Sequence, residues 1–230
     1  MSGEFSRDLD NITFMHELVK ILNEIEKSPF YKKIKMLGSV PQKLPDEIKR
    51  NMTVSQAFLI DYLVPTISET AKRSFYLPIF LYYFKKKDYQ IEIVRFVISY
   101  FNSIKIIFGE ENWNNPAKSI VSKTISIGAL IKIMHLLFIK IFIDDFDNDP
   151  LVIKKVTENI IIQKLAGIEK TDFSENSEFA KVASGGSLNK FKYKLLENIT
   201  YFNYKDQGSF EESFKLNYHK PFLNWLNKNC

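Results

Sequence analysis

Cysteine is almost missing from this chain. Its single thiol is Cys230, the last residue, so no internal disulfide can form and nothing asks for an oxidising compartment. Histidine is scarce as well. His16, His135 and His219 are scattered, and with no Cys/His set at ligand spacing they make no zinc site. A GxxxxGK[ST] phosphate loop and a G-x-S-x-G elbow are both lacking, so no motif places a nucleophile beside a base. The expected cofactor and metal complement is none. The opening MSGEFSRDLDN has no apolar signal core, and a cytoplasmic setting is expected.

What is present describes a folded globular chain. Its 230 residues are 45% hydrophobic and 26% charged, enough for one sizeable domain or two small ones. The net charge of +5 comes almost entirely from lysine and is uneven. From Lys181 to Cys230 eight lysines face four acids, so most of the excess lies in the C-terminal fifth. Such a balance suits nucleic-acid binding and suits plain solubility equally.

The stretch Trp113 to Ile143 organises the rest. Asn115-Pro116 reads as a helix opening, with Thr124 as a second cap or an interior residue. From Ile125 to Ile143 only Ser126, Lys132, His135 and Lys140 are strongly polar, the pattern of a buried central helix. A membrane span is disfavoured, because Lys132 and Lys140 would each cost roughly 2.5–3.5 kcal/mol near a bilayer centre. Gly128, Lys132 and His135 share one face at i, i+4 and i+7. The glycine, costing about 1 kcal/mol against alanine, signals a close approach there.

Around it the chain reads as helices. Phe14, Met15, Leu18, Ile21, Leu22 and Ile25 form a stripe on a helix from about Ile12 to Lys27, capped by Asp10 or Asn11. Residues 30–52 loosen into a small hairpin. Thr53-Val-Ser-Gln56 has capping-box form and opens a helix to about Leu63. Leu77 to Phe84 is aromatic-rich, and Lys85-Lys-Lys87 after it reads as a phosphate contact or, more simply, a solvated helix end. Asp88 opens a long helix to Phe108. Asp145, Asp147 and Asp149 mimic the start of a calcium loop, but Pro150 replaces the required glycine and Val156 the bidentate glutamate, so the motif is rejected. A helix from Asp149-Pro150 to about Leu165 is expected instead. A polar linker, Glu169 to Glu178, follows.

The C-terminal part carries the candidate site. Ser184, Gly185, Gly186 and Ser187 precede a helix over Leu188 to Ile199, where converging amides and the helix dipole form an anion nest or merely a sharp turn. Lys190, Lys192 and Lys194 lie just inside, and with Lys123 and Lys132 they complete a nucleic-acid or anion-binding set. A second capping box, Ser209-Phe-Glu-Glu212, opens a last helix that bends near Pro221. The expected fold class is mainly α, an irregular multi-helix bundle around a central buried helix, with a small β-hairpin near residues 31–52. Residues 1–168 form a helical core domain, and residues 169–230 a basic helical extension packed on it.

Three passages carry a resemblance. They are Leu22-Asn-Glu-Ile-Glu-Lys-Ser-Pro-Phe-Tyr31 with Ile34-Lys-Met-Leu-Gly38, Thr53-Val-Ser-Gln-Ala-Phe58, and Trp113 with Ser122-Lys-Thr-Ile-Ser-Ile-Gly-Ala-Leu130. Together they resemble the C-terminal part of the DGQHR-domain proteins, the group that includes DndB-type proteins associated with DNA phosphorothioation. No DGQHR string is present, so the family's signature residues have no positions here. The resemblance implies the helical partner region on its own, in a DNA-modification or phage-defence setting. Its implied partners are DNA, or a ParB-like protein or missing N-terminal half, and no membrane. A non-enzymatic module that binds DNA is therefore the leading expectation. A protein-docking module with Phe80, Tyr83 or Trp225 as anchors is the second, and an enzyme assembled only by folding the third.

Overall fold

A single helix, Thr124–Asp144, has sixteen of its 21 residues buried, and the remaining elements wrap it. The structure is a computed structural model that describes residues 2–38, 45, 50–73, 75–181 and 185–230. In chain order, α1 (Ser2–Glu24) leads to the two-residue strands β1 (Ile34–Lys35) and β2 (Val54–Ser55). Then follow α2 (Gln56–Leu63), α3 (Leu81–Phe84), α4 (Gln90–Phe108) and α5 (Glu110–Asn114). The central helix is α6 (Thr124–Asp144), and after it come α7 (Val152–Lys155), α8 (Glu158–Lys164) and α9 (Gly185–Asn198). The chain ends with α10 (Gln207–Phe214) and α11 (Lys220–Asn229). Among the described residues the fold is mainly α with one small sheet, as its composition and periodicity indicate.

Why α6 sits at the centre follows from its sequence. By length and composition it could cross a membrane, but 83% of its most apolar window is buried inside the protein. Its apolar side chains meet partners on every side. Phe138 takes Phe80 and Phe96 edge-on at 5.3 and 5.2 Å, and Phe142 takes Phe222 at 5.2 Å. Edge-on geometry places the positive rim of one ring against the negative face of the next. Tyr100 on α4 donates its hydroxyl to the Leu130 carbonyl at 2.7 Å. Phe191, Leu196, Phe222 and Leu226 join the same hydrophobic core as Met15, Leu59 and Ile131.

Several local expectations need correction. β1 lies in the expected region, but β2 falls just past it, and the strands run parallel, Ile34 opposite Val54 and Lys35 opposite Ser55, so the sheet is no hairpin. A tight turn can join only antiparallel strands; here the long connection between them allows the parallel pairing. α1 starts well before Ile12 and stops at Glu24, leaving Ile25 exposed. Asn115-Pro116 opens only a turn. Ser119 and Ile120 are then drawn to Phe173 and Ser174, with Ile120 N–H donating to the Phe173 carbonyl at 2.7 Å, and α6 begins at Thr124.

The caps shift for similar reasons. Ser55, not Thr53, caps α2, because the Thr53 hydroxyl donates to the Ser122 carbonyl at 2.5 Å. Asp206, not Ser209, caps α10 by accepting from Ser209 N–H at 2.9 Å. Asp88 lies in a turn ahead of α4, which starts at Gln90. The single helix expected after Pro150 is two, broken at Val156 and restarted with Thr157 as cap of α8. Near Pro221 the chain makes a wide π-type turn, Lys215–His219, since proline has no amide to continue the ladder.

Candidate anion-binding cleft

The shared face of Gly128, Lys132 and His135 splits into three roles. Gly128 lets α9 approach: a Cβ there would clash with Leu188 and come within 3.0 Å of the Phe58 ring. His135 is a core residue. Its Nδ1 lies 3.1 Å from the Leu77 carbonyl, Tyr76 meets it edge-on at 5.5 Å, and burial lowers its pKa to about 4, so it is neutral near pH 7. Lys132 reaches outward, donating to Asn189 Oδ1 at 2.6 Å with its ammonium 5.0 Å from the Tyr76 ring centre.

Lys132 opens onto a cleft of about 450 Å³ between α6, α9, α10 and the segment before α3. From α9 come Gly186, Asn189, Lys190, Lys192 and Tyr193; Gln207 and Glu211 come from α10, and Phe75 and Tyr76 form the remaining wall. Lys192 is the unusual member. Its side chain lines the cleft, yet the residue is only 2% exposed. Its ammonium sits 3.6 Å from the Tyr193 ring centre, 5.7 Å from Tyr76 and 5.8 Å from Phe75. Among the described residues it makes no hydrogen bond or ion pair. Burial is the main cause that lowers its pKa to about 8, Lys132 adds to the effect, and Glu211 opposes it. Burial also lowers the pKa of Lys132 and raises that of Tyr76. The Glu211 carboxylate is engaged by the Tyr193 hydroxyl and, at 3.5 Å, by Gln207.

Thus Gly186, Lys132, Lys190 and Lys192 of the expected set meet at one cleft. Gly185 and Ser187 lie in the first turn of α9, and Ser184 falls outside the described residues. Lys194 is exposed and pairs with Glu197 at 2.7 Å. Lys123 stands before the first turn of α6, about 13 Å along the helix from Lys132 at 1.5 Å per residue, and does not line the cleft. Sequence reasoning missed Phe75, Tyr76, Asn189, Tyr193, Gln207 and Glu211. One signal was available: Gly186, Asn189, Lys190 and Tyr193 recur at i, i+3, i+4 and i+7, a single helix face.

Other candidates close on themselves. Lys85 pairs with Glu69, and Lys86 donates to the Tyr82 hydroxyl at 2.6 Å. Phe80 and Tyr83, expected as docking anchors, are core residues, while Trp225 is half-buried against Phe142 at 4.7 Å. Asp145 binds Lys164 at 2.5 Å and Tyr201 at 2.6 Å, and Asp149 binds Lys155 at 2.5 Å, so the aspartate run is knitted to lysines. Among the described residues no group of His, Cys, Asp and Glu is arranged to hold a metal ion.

The three passages of the family resemblance converge in one corner. Trp113 donates its indole N–H to the Pro29 carbonyl at 2.8 Å, and the Thr124 hydroxyl donates to the Thr53 carbonyl at 3.0 Å. β1 pairs with β2 there, and Gln56 accepts from Leu37 N–H at 2.8 Å. No protein-family model matches the chain, and neither a curated protein nor a solved structure matches it.

Proposed function

We propose that this protein is a non-enzymatic helical module that binds DNA through the lysine-lined cleft between α6, α9 and α10. The observation that carries this reading is the meeting of Lys132, Lys190 and Lys192, the last without an ion pair among the described residues, with the rings of Tyr76 and Tyr193. Lysines supply phosphate contacts and the partly buried rings line the same cleft, a combination of charge and aromatic surface that nucleic-acid sites use. The basic C-terminal fifth adds a favourable field. The setting we propose is a DNA-modification or phage-defence system of the DGQHR type. There the module acts beside a ParB-like α/β partner or half, in the cytoplasm.

Duplex binding followed by fluorescence anisotropy across a salt series tests this reading. Affinity is expected to fall linearly in log–log form, and Lys190→Ala to reduce the slope by about 1. Undetectable binding at low salt would remove DNA as the ligand. Co-purification with a protein partner under the same conditions would then favour docking.

A further inference from the structure

Lys192 differs from the other lysines of the cleft in two ways. It is buried, whereas Lys190 is exposed, and its ammonium faces rings rather than an acceptor. Among the described residues Lys192 has no direct ion pair, only the field of the Glu211 carboxylate, and a ligand anion entering the cleft would offset its desolvation directly. The one carboxylate among the described lining residues, Glu211, is already held by Tyr193 and Gln207.

The shape restricts which anion fits. An internal phosphodiester carries one negative charge and a continuing chain on both sides, so it can lie across the mouth, where Lys190 is exposed. It cannot present a free end to an ammonium recessed among three rings. A phosphate monoester has only one substituent, and with a second pKa near 6 it carries close to two negative charges at neutral pH. The recessed Lys192 and the half-buried Lys132 together match that charge. The first turn of α9 adds the positive end of a helix at the same place, since Gly186 lines the cleft. Tyr76, 5.0 Å from one ammonium and 5.7 Å from the other, offers a ring beside both.

We infer that this cleft is a pocket for a phosphate monoester, with Lys132 and Lys192 meeting the dianion and Tyr76 lying against the group that bears it. The inference rests on the anion-binding reading of the cleft and deepens it. A phosphorylated strand end and a free nucleoside monophosphate share this chemistry. Among the described residues the titratable groups facing Lys192 are Lys132, Glu211, Tyr76 and Tyr193, with Lys190 at the mouth and His219 stacked behind Phe75 at 5.7 Å. Because binding needs the protonated amine, affinity falls as pH rises past about 8.

The full chain is titrated with a short single-stranded oligonucleotide bearing a 5′-phosphate and with its 5′-hydroxyl counterpart. In parallel, calorimetry compares a nucleoside monophosphate with its nucleoside. The phosphorylated ligand of either pair should bind about ten- to a hundredfold more tightly. That preference should vanish in Lys192→Met and persist in Lys194→Ala. Should Lys192→Met fail to fold, Lys132→Gln carries the same test from the other wall. Preference for the oligonucleotide phosphate identifies a strand end as the ligand. Preference for the monophosphate, with no binding of any DNA, upholds the pocket while removing the DNA assignment. Equal affinity within both pairs overturns the pocket, and leaves duplex binding standing if the salt series shows it.

Discussion

The corner beside the N-terminal end of α6 and the cleft beside its middle use their polar groups differently, although Ser126 Oγ in the first turn is buried without a partner among the described residues. At the end, Thr53, Thr124, Gln56 and Trp113 each meet a protein partner, and these bonds join segments far apart in sequence. Two turns on, Lys132 reaches the cleft that Lys192 enters from α9 with no acceptor among the described residues. A satisfied buried network fixes a structure, whereas an unsatisfied buried charge leaves free energy for a ligand to release. The difference assigns the corner to architecture and the cleft to binding, and four changes probe it.

The largest effect is expected in the corner. Trp113 is fully buried, its ring is 5.7 Å from Phe30, and its indole bonds the Pro29 carbonyl, so Trp113→Ala should cost about 3–5 kcal/mol in urea unfolding. A loss below 1 kcal/mol would mean that this corner does not hold the fold together.

Next comes pH. The folded pKa of His135, lowered to about 4 by burial, lies below its unfolded value of 6.5. The unfolded chain therefore binds more protons in that window. Stability from this group is complete above pH 6.5 and is lost as pH falls towards 4, amounting to about 3 kcal/mol. Denaturant midpoints measured from pH 7 to 4 should show a slope that shrinks in His135→Gln. An unchanged slope would place the imidazole in water.

A smaller loss is expected at the α6–α9 contact. Gly128→Ala forces Leu188 and Phe58 to move, costing about 1–3 kcal/mol in the thermal or urea transition, partly offset by about 1 kcal/mol of helix propensity. Because Leu188 lies beside Asn189, this variant should also weaken anion binding. Retained affinity would show that the cleft tolerates a displaced α9. The smallest effect belongs to Thr124→Val, which removes one bond to the Thr53 carbonyl and should cost about 1 kcal/mol by denaturation without touching affinity.

The central helix was legible because nineteen consecutive positions from Ile125 carry only four strongly polar side chains, which is a one-dimensional signal. Helix ends were less so. Thr53 and Ser209 look like caps locally, but a carbonyl 69 residues away captures the first, and Asp206 takes the second role. The parallel pairing of Ile34 with Val54 likewise depends on tertiary contact, which no short window encodes. At the cleft the lysines were readable from charge and from the glycines, which the structure places in the first turn of α9 rather than ahead of it. Tyr76 and Glu211 were not, since only the packing of α9 against α6 and α10 brings them there. Nor did the sequence distinguish buried Lys192 from exposed Lys190, two positions apart on one helix.

The most direct measurement follows the Lys192 amine itself by NMR titration, with and without inorganic phosphate. Starting from about 8 in the free protein, its pKa should move up by about one unit or more when phosphate is added, while Lys194 stays in place. A Lys192 titration that is the same in both conditions would contradict an anion site in this cleft.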